Sequence, residues 1–340
     1  MNSSTIICQM SRNDERNFRT HYYERVGFKG LNEKTLDTLL NEEPRSIEKL
    51  QQFCLRFSVP SIMRLEVWKV IYEFSSIYSK NSSEMLWWKE NPYFHIKQME
   101  KRMQKITDDM SLPQELTVQF LVRQGWIKFD VKSQLKELSS CNFTTIATSM
   151  VKITDSAEVA SFYLSQELHK FLHSHPKRIM DDLEKSFIKK LSNIHPKLYS
   201  YCEKIDLLNN LPIRVWISRA FAGVIHENVL VKVWDKVIGG SMKILVFVAI
   251  SIMELCNSRL QQSADWREGL KIFDKLSEED CSIIVQKAID QWTKDGCQLF
   301  PCDHNRMNRE DCTSIVPFNK TISKSTVPLQ QLVKEIKFEN

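Results

Sequence analysis

The sequence predicts an all-α protein, and three features of the chain point to that fold class. Glycine is scarce: the chain has 8 glycines in 340 residues, whereas an average content of about 7% would give about 24. Apolar residues recur at helical spacing, and short polar or proline-containing segments separate these stripes. Because turn-rich folds need glycine at left-handed positions, its scarcity favours helices joined by short connections.

A first amphipathic helix is predicted to follow Val59-Pro60, where the proline stops the preceding segment and Ser61 is a suitable N-cap. This helix carries Arg64 and Trp68 one turn apart. Its apolar stripe consists of Met63, Val67, Val70, Ile71 and Phe74.

Two further amphipathic helices are predicted between Pro212 and Gly240. The first begins after Pro212 and ends at Gly223, and the second ends at Gly239-Gly240. Their apolar positions follow the spacing of one helical face: Ile213, Trp216, Ile217, Ala220 and Phe221, then Leu230, Val233, Trp234, Val237 and Ile238.

The segment from Met242 to Met253 is apolar on nearly every side, with Ser241 as its predicted cap. A helix that is hydrophobic all round is buried, so this segment is expected to be the central helix of the domain. Its many β-branched residues leave a buried strand as a local alternative, but its length and its helical neighbours favour the helix.

The chain divides into three parts. Residues 1–14 are polar and predict a disordered leader, residues 15–295 predict a helical domain, and residues 296–340 predict a flexible C-terminal tail with at most one short helix. No repeat of fixed period is present, so a solenoid is not indicated.

Composition restricts the compartment and the class of partner. The net charge of +5 is modest, and no basic face indicates a nucleic-acid partner. The longest apolar run, from Ile244 to Ile250, is far shorter than the ~20 residues that span a bilayer, so no direct membrane insertion is expected. Nine dispersed cysteines without a secretory signal predict reduced thiols in the cytoplasm.

Neither a metal nor a cofactor is expected. Cys297, Cys302, His304 and Cys312 match no zinc-binding spacing. His169, His173 and His175 precede Pro176 and are interpreted as partly exposed side chains at a helix end. Walker, Rossmann and G-x-S-x-G signatures are absent from the sequence.

Several segments resemble the TBC-domain family. They are the Arg64-x-x-x-Trp68 pair after a proline, Trp216 with Phe221-Ala-Gly223, and Val233-Trp234-Asp235-Lys236 before the apolar run. The resemblance implies a two-lobed, wholly helical domain in which Arg64, Trp68, Trp216, Trp234 and Asp235 are structural motif residues. It also implies the family's activity, which is to stimulate GTP hydrolysis by Rab GTPases.

The family acts through two fingers, an arginine in an I-x-x-D-x-x-R motif and a glutamine in a Y-x-Q motif. The arginine neutralises charge on the transferred phosphoryl group and the glutamine positions water, and an arginine finger is worth about 10³–10⁵ in rate. The I-x-x-D segments of this chain place Leu112, Ser133 and Lys185 at the finger position, of which Leu112 lies nearest the expected place. No tyrosine is followed two residues later by glutamine, and Arg123 is interpreted as a surface arginine.

Within the family, the resemblance is strongest to the TBC proteins that form the third subunit of the tuberous sclerosis complex. It rests on Arg16-Asn-Phe-Arg19, Val26-Gly-Phe28 and Lys243-Ile-Leu-Val-Phe-Val-Ala249, among others. It implies a scaffold that binds the hamartin coiled coil and, through it, tuberin, whose GAP activity toward Rheb restrains TOR signalling. The implied location is cytoplasmic, and peripheral to lysosomal or vesicle membranes through partners.

The sequence is also compatible with two other functions: a Rab GAP with an atypical finger, and an effector that binds a Rab or Rheb GTPase without accelerating hydrolysis. The residues of the partner surface are not determined by the sequence. Trp87 and Trp88 are the candidates, because adjacent helical residues point about 100° apart and one of the two is therefore expected to be exposed.

Overall fold

The structure, a computed structural model, describes residues 31–126 and 141–299, with side chains from residue 34 onward. The described residues form sixteen α-helices and no strand, which confirms the all-α fold class. The predicted leader and residues 300–340 lie outside the described part. The helices are α1 Leu31–Asn41, α2 Ile47–Arg56, α3 Ser61–Ile71, α4 Ser82–Arg102, α5 Leu112–Arg123, α6 Asn142–Ile153, α7 Glu158–His173, α8 Lys177–Ile194, α9 Pro196–Lys204, α10 Leu207–Asn210, α11 Ile213–Ser218, α12 Glu227–Ile238, α13 Ile244–Leu255, α14 Asn257–Leu260, α15 Trp266–Phe273 and α16 Glu278–Lys294.

The central helix α13 is buried along its length. Every residue from Ile244 to Met253 is inaccessible to solvent, which confirms the expectation from its all-round apolar sequence. It packs against α16 on one side and α8 on another. It also contacts α11, α12 and α14, so it lies at the centre of the C-terminal helices.

Three helix ends differ from the sequence predictions. Helix α3 includes Ser61 and takes Pro60 at its cap position, without a side-chain cap. Helix α11 stops at Ser218, because Ala220 and Phe221 adopt left-handed φ values of 46° and 61°. Helix α13 begins at Ile244, so Ser241 does not cap it. The prediction for the end of α12 is confirmed, since Gly240 follows it with φ 109°.

The apolar side chains form two main cores that share helices α6 and α7. The larger core contains α13 and receives Ile146 and Met150 from α6 and Leu164 from α7. The smaller core lies between α4, α5, α6 and α7, and Phe143 and Phe162 belong to it. Helices α6 and α7 therefore present opposite faces to the two cores and connect them.

Helix α4 lies at the outside of the smaller core. Of its 21 residues only Tyr93 and Glu100 are buried, and it contacts α5 and α7 on that side. The side chains on the opposite side of α4 are exposed to solvent.

Gln298 and Leu299, which follow α16, form hydrogen bonds with the helical domain. The backbone N–H groups of Met242 and Lys243 both donate to the Leu299 carbonyl at 3.1 Å. The Gln298 carbonyl accepts from Ser241 Oγ at 3.1 Å and Trp292 Nε1 at 3.0 Å. These bonds attach the first residues of the predicted tail to the loop before α13.

Candidate functional site

The motif residues Arg64, Trp68 and Asp235 meet in one buried cluster, although α3 and α12 are about half the chain apart. Arg64 Nε donates to Asp235 Oδ1 at 3.1 Å and Oδ2 at 3.2 Å, and Trp68 Nε1 donates to Oδ1 at 2.9 Å. Arg64 Nη2 donates to the Val59 carbonyl. Burial raises the pKa of Asp235 to about 6 against the opposing effect of Arg64, so the carboxylate is ionised at neutral pH.

The two other motif tryptophans are also buried. Trp234 packs against Trp68 with ring centroids 6.2 Å apart, and its Nε1 donates to the Ala220 carbonyl at 3.0 Å. Trp216 lies apart from them, against Phe221 and Phe273. Because all five motif residues are removed from solvent, they hold the helices together and offer no surface to a ligand.

Leu112 is the first residue of α5 and is half-buried against the smaller core. A capping box fixes this helix start: Gln114 Oε1 accepts from the backbone N–H of Ser111 at 2.8 Å. An apolar side chain held in this way cannot bond to a phosphate oxygen. Lys185 is exposed on α8, a helix that packs on the larger core. Ser133 lies outside the described residues.

Arg123 is not the surface arginine that the sequence suggested. Its guanidinium carbon lies 4.6 Å from the centroid of the Phe162 ring and 5.8 Å from those of Tyr93 and Tyr163. Stacking on aromatic faces is a typical environment for a partly buried guanidinium. The side chain is therefore directed into the smaller core and away from solvent.

The exposed face of α4 carries both candidate tryptophans. Trp87 is 54% exposed and Trp88 is 61% exposed, and their rings make an edge contact at 5.0 Å. The structure thus exposes both where the sequence predicted one. Phe94 and Met99 extend the exposed apolar surface along the same helix.

Phe94 and Met99 were missed from the sequence, although a signal was present. Phe94 lies seven residues after Trp87, which places the two on one side of a helix. Trp126, which is 62% exposed just after α5 and packs edge-on against Phe120, was also missed. It follows Gly125, whose φ of 70° ends the helix, and no periodic signal marks it.

The histidine group is not arranged to hold a metal. His169 and His173 stack at 3.9 Å, and burial lowers the pKa of His169 to about 3 and lowers that of His173. These rings are therefore neutral at pH 7. His169 is half-buried and His173 is exposed at the end of α7, in agreement with the expectation of partly exposed side chains at a helix end. Across residues 31–126 and 141–299, no group of three or more metal-ligating side chains occurs.

A surface groove of 740 Å³ lies between α8, α9, α10 and α11. Arg214 projects beside it and pairs with Asp181 at 2.7 Å and Glu184 at 2.5 Å. The charges that line the groove nearly balance, with four carboxylates and three cations: Asp181, Glu184, Glu203, Asp206, Lys185, Lys189 and Arg214.

Comparison with known proteins identifies the family. The family model described as the Rab-GTPase-TBC domain matches residues 143–261. TBC1 domain family member 7 of Danio rerio is 32% identical over 291 residues, covering 84% of this chain and 97% of that protein. This chain belongs to the TBC-domain family. The human TBC1 domain family member 7 is 28% identical over 286 residues, with the same coverage.

The TBC fold is also found by structural comparison. The Ypt/Rab-GAP domain of Gyp1p superimposes with a TM-score of 0.55 at 13% identity, covering 78% of this chain and 98% of that one. At this level of sequence identity, the structural similarity supports a shared fold and carries no information about function. In this chain, the Arg64–Trp68–Asp235 cluster joins α3 to α12. Among the described residues, no helix is both long and apolar enough to cross a membrane.

Proposed function

We propose that this TBC-domain chain is a non-catalytic scaffold subunit of the tuberous sclerosis complex. It binds the hamartin coiled coil and so supports the GAP activity of tuberin toward Rheb, which restrains TOR signalling. Its location at lysosomal or vesicle surfaces is then determined by its partners. The relatives named TBC1 domain family member 7, which match nearly their whole length, support this assignment.

The single observation that carries the proposal is the outer face of α4. Two adjacent tryptophans, both more than half exposed, share a helix of 21 residues with the exposed side chains of Phe94 and Met99. Large exposed apolar surface on a helix is typical of a protein–protein contact, and tryptophan is enriched among residues that dominate binding energy. A coiled-coil helix packs along such a face through side chains spaced three and four residues apart.

The environment of the finger position supports a scaffold over a GTPase activator. The sequence resemblance assigns this position to Leu112, and the nearest arginine along α5, Arg123, is held over the rings of the smaller core. A charge-neutralising finger must project from the surface into the site of another protein. Neither Leu112 nor Arg123 meets that requirement.

The experiment is binding of the full chain to the C-terminal coiled coil of hamartin, followed by size-exclusion chromatography and calorimetry. We expect co-elution, and we expect Trp87→Ala and Trp88→Ala each to weaken binding about tenfold or more, since buried interface tryptophans cost ~2 kcal/mol when truncated. Ile283→Ala is the matched control, because Ile283 is 53% exposed on α16, away from α4.

Separate elution of the wild-type chain at micromolar concentration would contradict the scaffold assignment. Co-elution with both tryptophan variants binding as tightly as Ile283→Ala would keep the assignment and remove the α4 face from it. A panel of Rab GTPases tests the activity itself: a rate increase that is lost in Arg123→Lys would replace the scaffold by an activator with an atypical finger.

A further inference from the structure

Side chains of α4 and α5 carry buried polar atoms that make no well-formed hydrogen bond. Glu100 on α4 is 2% exposed and Gln119 on α5 is fully buried. Within the described part of the chain, both carboxylate oxygens of Glu100 lack a hydrogen-bond partner, and so do Nε and Nη2 of Arg123, one turn beyond Gln119 on α5. The Gln119 amide makes no well-formed hydrogen bond, although it lies near the Tyr93 hydroxyl and opposes the rise in the pKa of that group. We name the Glu100, Gln119 and Arg123 side chains the α4–α5 seam.

Several polar and charged side chains around Glu100 already form ion pairs or hydrogen bonds with other residues. Lys97 pairs with Glu115 at 2.7 Å and also with Glu158, and the Tyr93 hydroxyl donates to Glu158 at 2.7 Å. The remaining cations near the Glu100 carboxyl are Arg123, which lies over the Phe162 ring, and Lys105. The titratable and charged groups facing the seam are thus Tyr93 and Lys97 on α4, Lys105 after it, Glu115 and Arg123 on α5, and Glu158 on α7.

The chemistry of the seam fits a neutral carboxyl better than an ionised one. A carboxylate only accepts, whereas a protonated carboxyl also donates one hydrogen bond, and a primary amide such as Gln119 offers both an acceptor and donors. A buried polar group without a partner costs about 1–3 kcal/mol, and a buried charge costs more. Burial accordingly raises the pKa of Glu100 to about 7, although Arg123, Lys105 and Lys97 oppose the rise.

We propose that Glu100 is a proton switch which sets how tightly the C-terminal half of α4 packs on α5. With a proton taken from solvent, the neutral carboxyl lets the seam close without water. When the proton returns to solvent, the charged carboxylate recruits water between the helices and the last turns of α4 open more often. Met99 precedes Glu100 on the same turn, so the opening reaches the exposed face of α4.

The direction of the effect follows from proton linkage. The folded chain binds the Glu100 proton more tightly than the unfolded chain, whose carboxyl has a pKa near 4.5. The stabilisation is therefore complete below about pH 4.5 and is lost as the pH rises to about 7. For one proton with these two pKa values, the opening constant rises roughly fivefold between pH 6 and pH 7 and levels off above pH 7.5.

Amide hydrogen exchange of the full chain, corrected for intrinsic rates and followed from pH 5.5 to 8, tests the switch. We expect the opening constant of amides in α4 and α5 to rise as calculated in the wild type and to stay flat in Glu100→Gln. Glu84→Gln is the matched control, because Glu84 is exposed in the first turn of the same helix. It should retain the wild-type rise.

A flat wild-type profile, or a Glu100→Gln profile that rises as the wild type does, would overturn the proposal. Arg123→Met gives an independent test. Loss of the nearest cation raises the pKa of Glu100 further, so the opening constant should continue to rise above pH 7.5. A profile that levels off at the wild-type pH would also overturn the switch. The inference does not depend on the proposed function, because no partner takes part in the measurement.

Discussion

Two carboxyl groups of this domain, those of Asp235 and Glu100, are almost fully buried with an arginine nearby, but hydrogen bonds satisfy them to very different degrees. Asp235 accepts from Arg64 Nε with both oxygens and from the indole of Trp68 at 2.9 Å. Glu100 lies near Arg123 with no hydrogen bond from any described residue to either oxygen. Both carboxyl groups are nearly inaccessible to solvent, so burial alone does not explain the difference.

The orientation of the arginine explains it. Arg64 turns the edge of its guanidinium toward Asp235, so its N–H groups are directed at the oxygens. Arg123 lays its guanidinium against the Phe162 ring, which leaves Nε and Nη2 without acceptors. A fully bonded pair locks two distant helices together. Glu100 and Arg123 carry the same types of charged group but lack those bonds, and this leaves the seam sensitive to protonation and to water.

The largest expected effect is on the satisfied pair. Arg64→Met should lower the free energy of unfolding by about 3–5 kcal/mol at pH 7, because it leaves the Asp235 charge buried without its cation. Urea unfolding followed by tryptophan fluorescence measures the loss. The loss should be smaller at pH 5, since without Arg64 the pKa of Asp235 rises further and the neutral acid restores part of the stability.

Arg178→Met is the control for Arg64→Met, because Arg178 makes an exposed pair with Asp182 at 3.8 Å. Its expected effect is within about 0.5 kcal/mol. If Arg64→Met loses less than ~1 kcal/mol and does so equally at pH 5 and pH 7, the Arg64–Asp235 bond does not lock α3 to α12 as argued.

The sequence predicted the fold where periodicity or apolar content is strong. The segment around Ile244–Ile250 is apolar on all sides, which predicts burial, and its length together with its helical neighbours predicted a helix rather than a buried strand. By contrast, the apolar stripe through Phe221 predicted a longer α11 than the structure has. The chain turns at Ala220, whose carbonyl accepts from Trp234 Nε1 at 3.0 Å, and this contact with α12 overrides the local helical spacing.

The candidate site was predictable only where a local signal or the family resemblance supplied it. The motif residues Arg64 and Asp235 came from the resemblance, because 171 residues separate them and no spacing rule connects them. Trp87 and Trp88 came from the angle between adjacent helical residues. Arg123 looked exposed near a helix end, and the rings over which it lies come from α4 and α7, far away along the chain.

A smaller effect of opposite sign is expected in the seam. Gln119→Leu should raise the free energy of unfolding by about 1 kcal/mol, because an apolar side chain of similar size replaces a buried amide that makes no well-formed hydrogen bond. Gln114→Leu makes the same replacement on α5 where the amide completes the capping box, and it should lower stability by about 0.5–1 kcal/mol. If Gln119→Leu lowers the free energy of unfolding as much as Gln114→Leu does, the Gln119 amide is hydrogen-bonded. The seam would then not differ from the Asp235 cluster in its hydrogen bonding.

The smallest effect tests whether burial, or the number of partners, makes the Arg64 pair strong. Arg214 has two carboxylate partners, Asp181 at 2.7 Å and Glu184 at 2.5 Å, but its side chain is 54% exposed. Arg214→Gln should therefore cost less than about 1 kcal/mol in dilute salt, and the cost should vanish in 1 M NaCl, where the screening length is ~3 Å. The loss on Arg64→Met should be unchanged by salt, because buried pairs are screened much less. Equal salt sensitivity in urea unfolding of the two variants would mean that solvent reaches Asp235, and that orientation of the guanidinium without burial sets the strength of the pair.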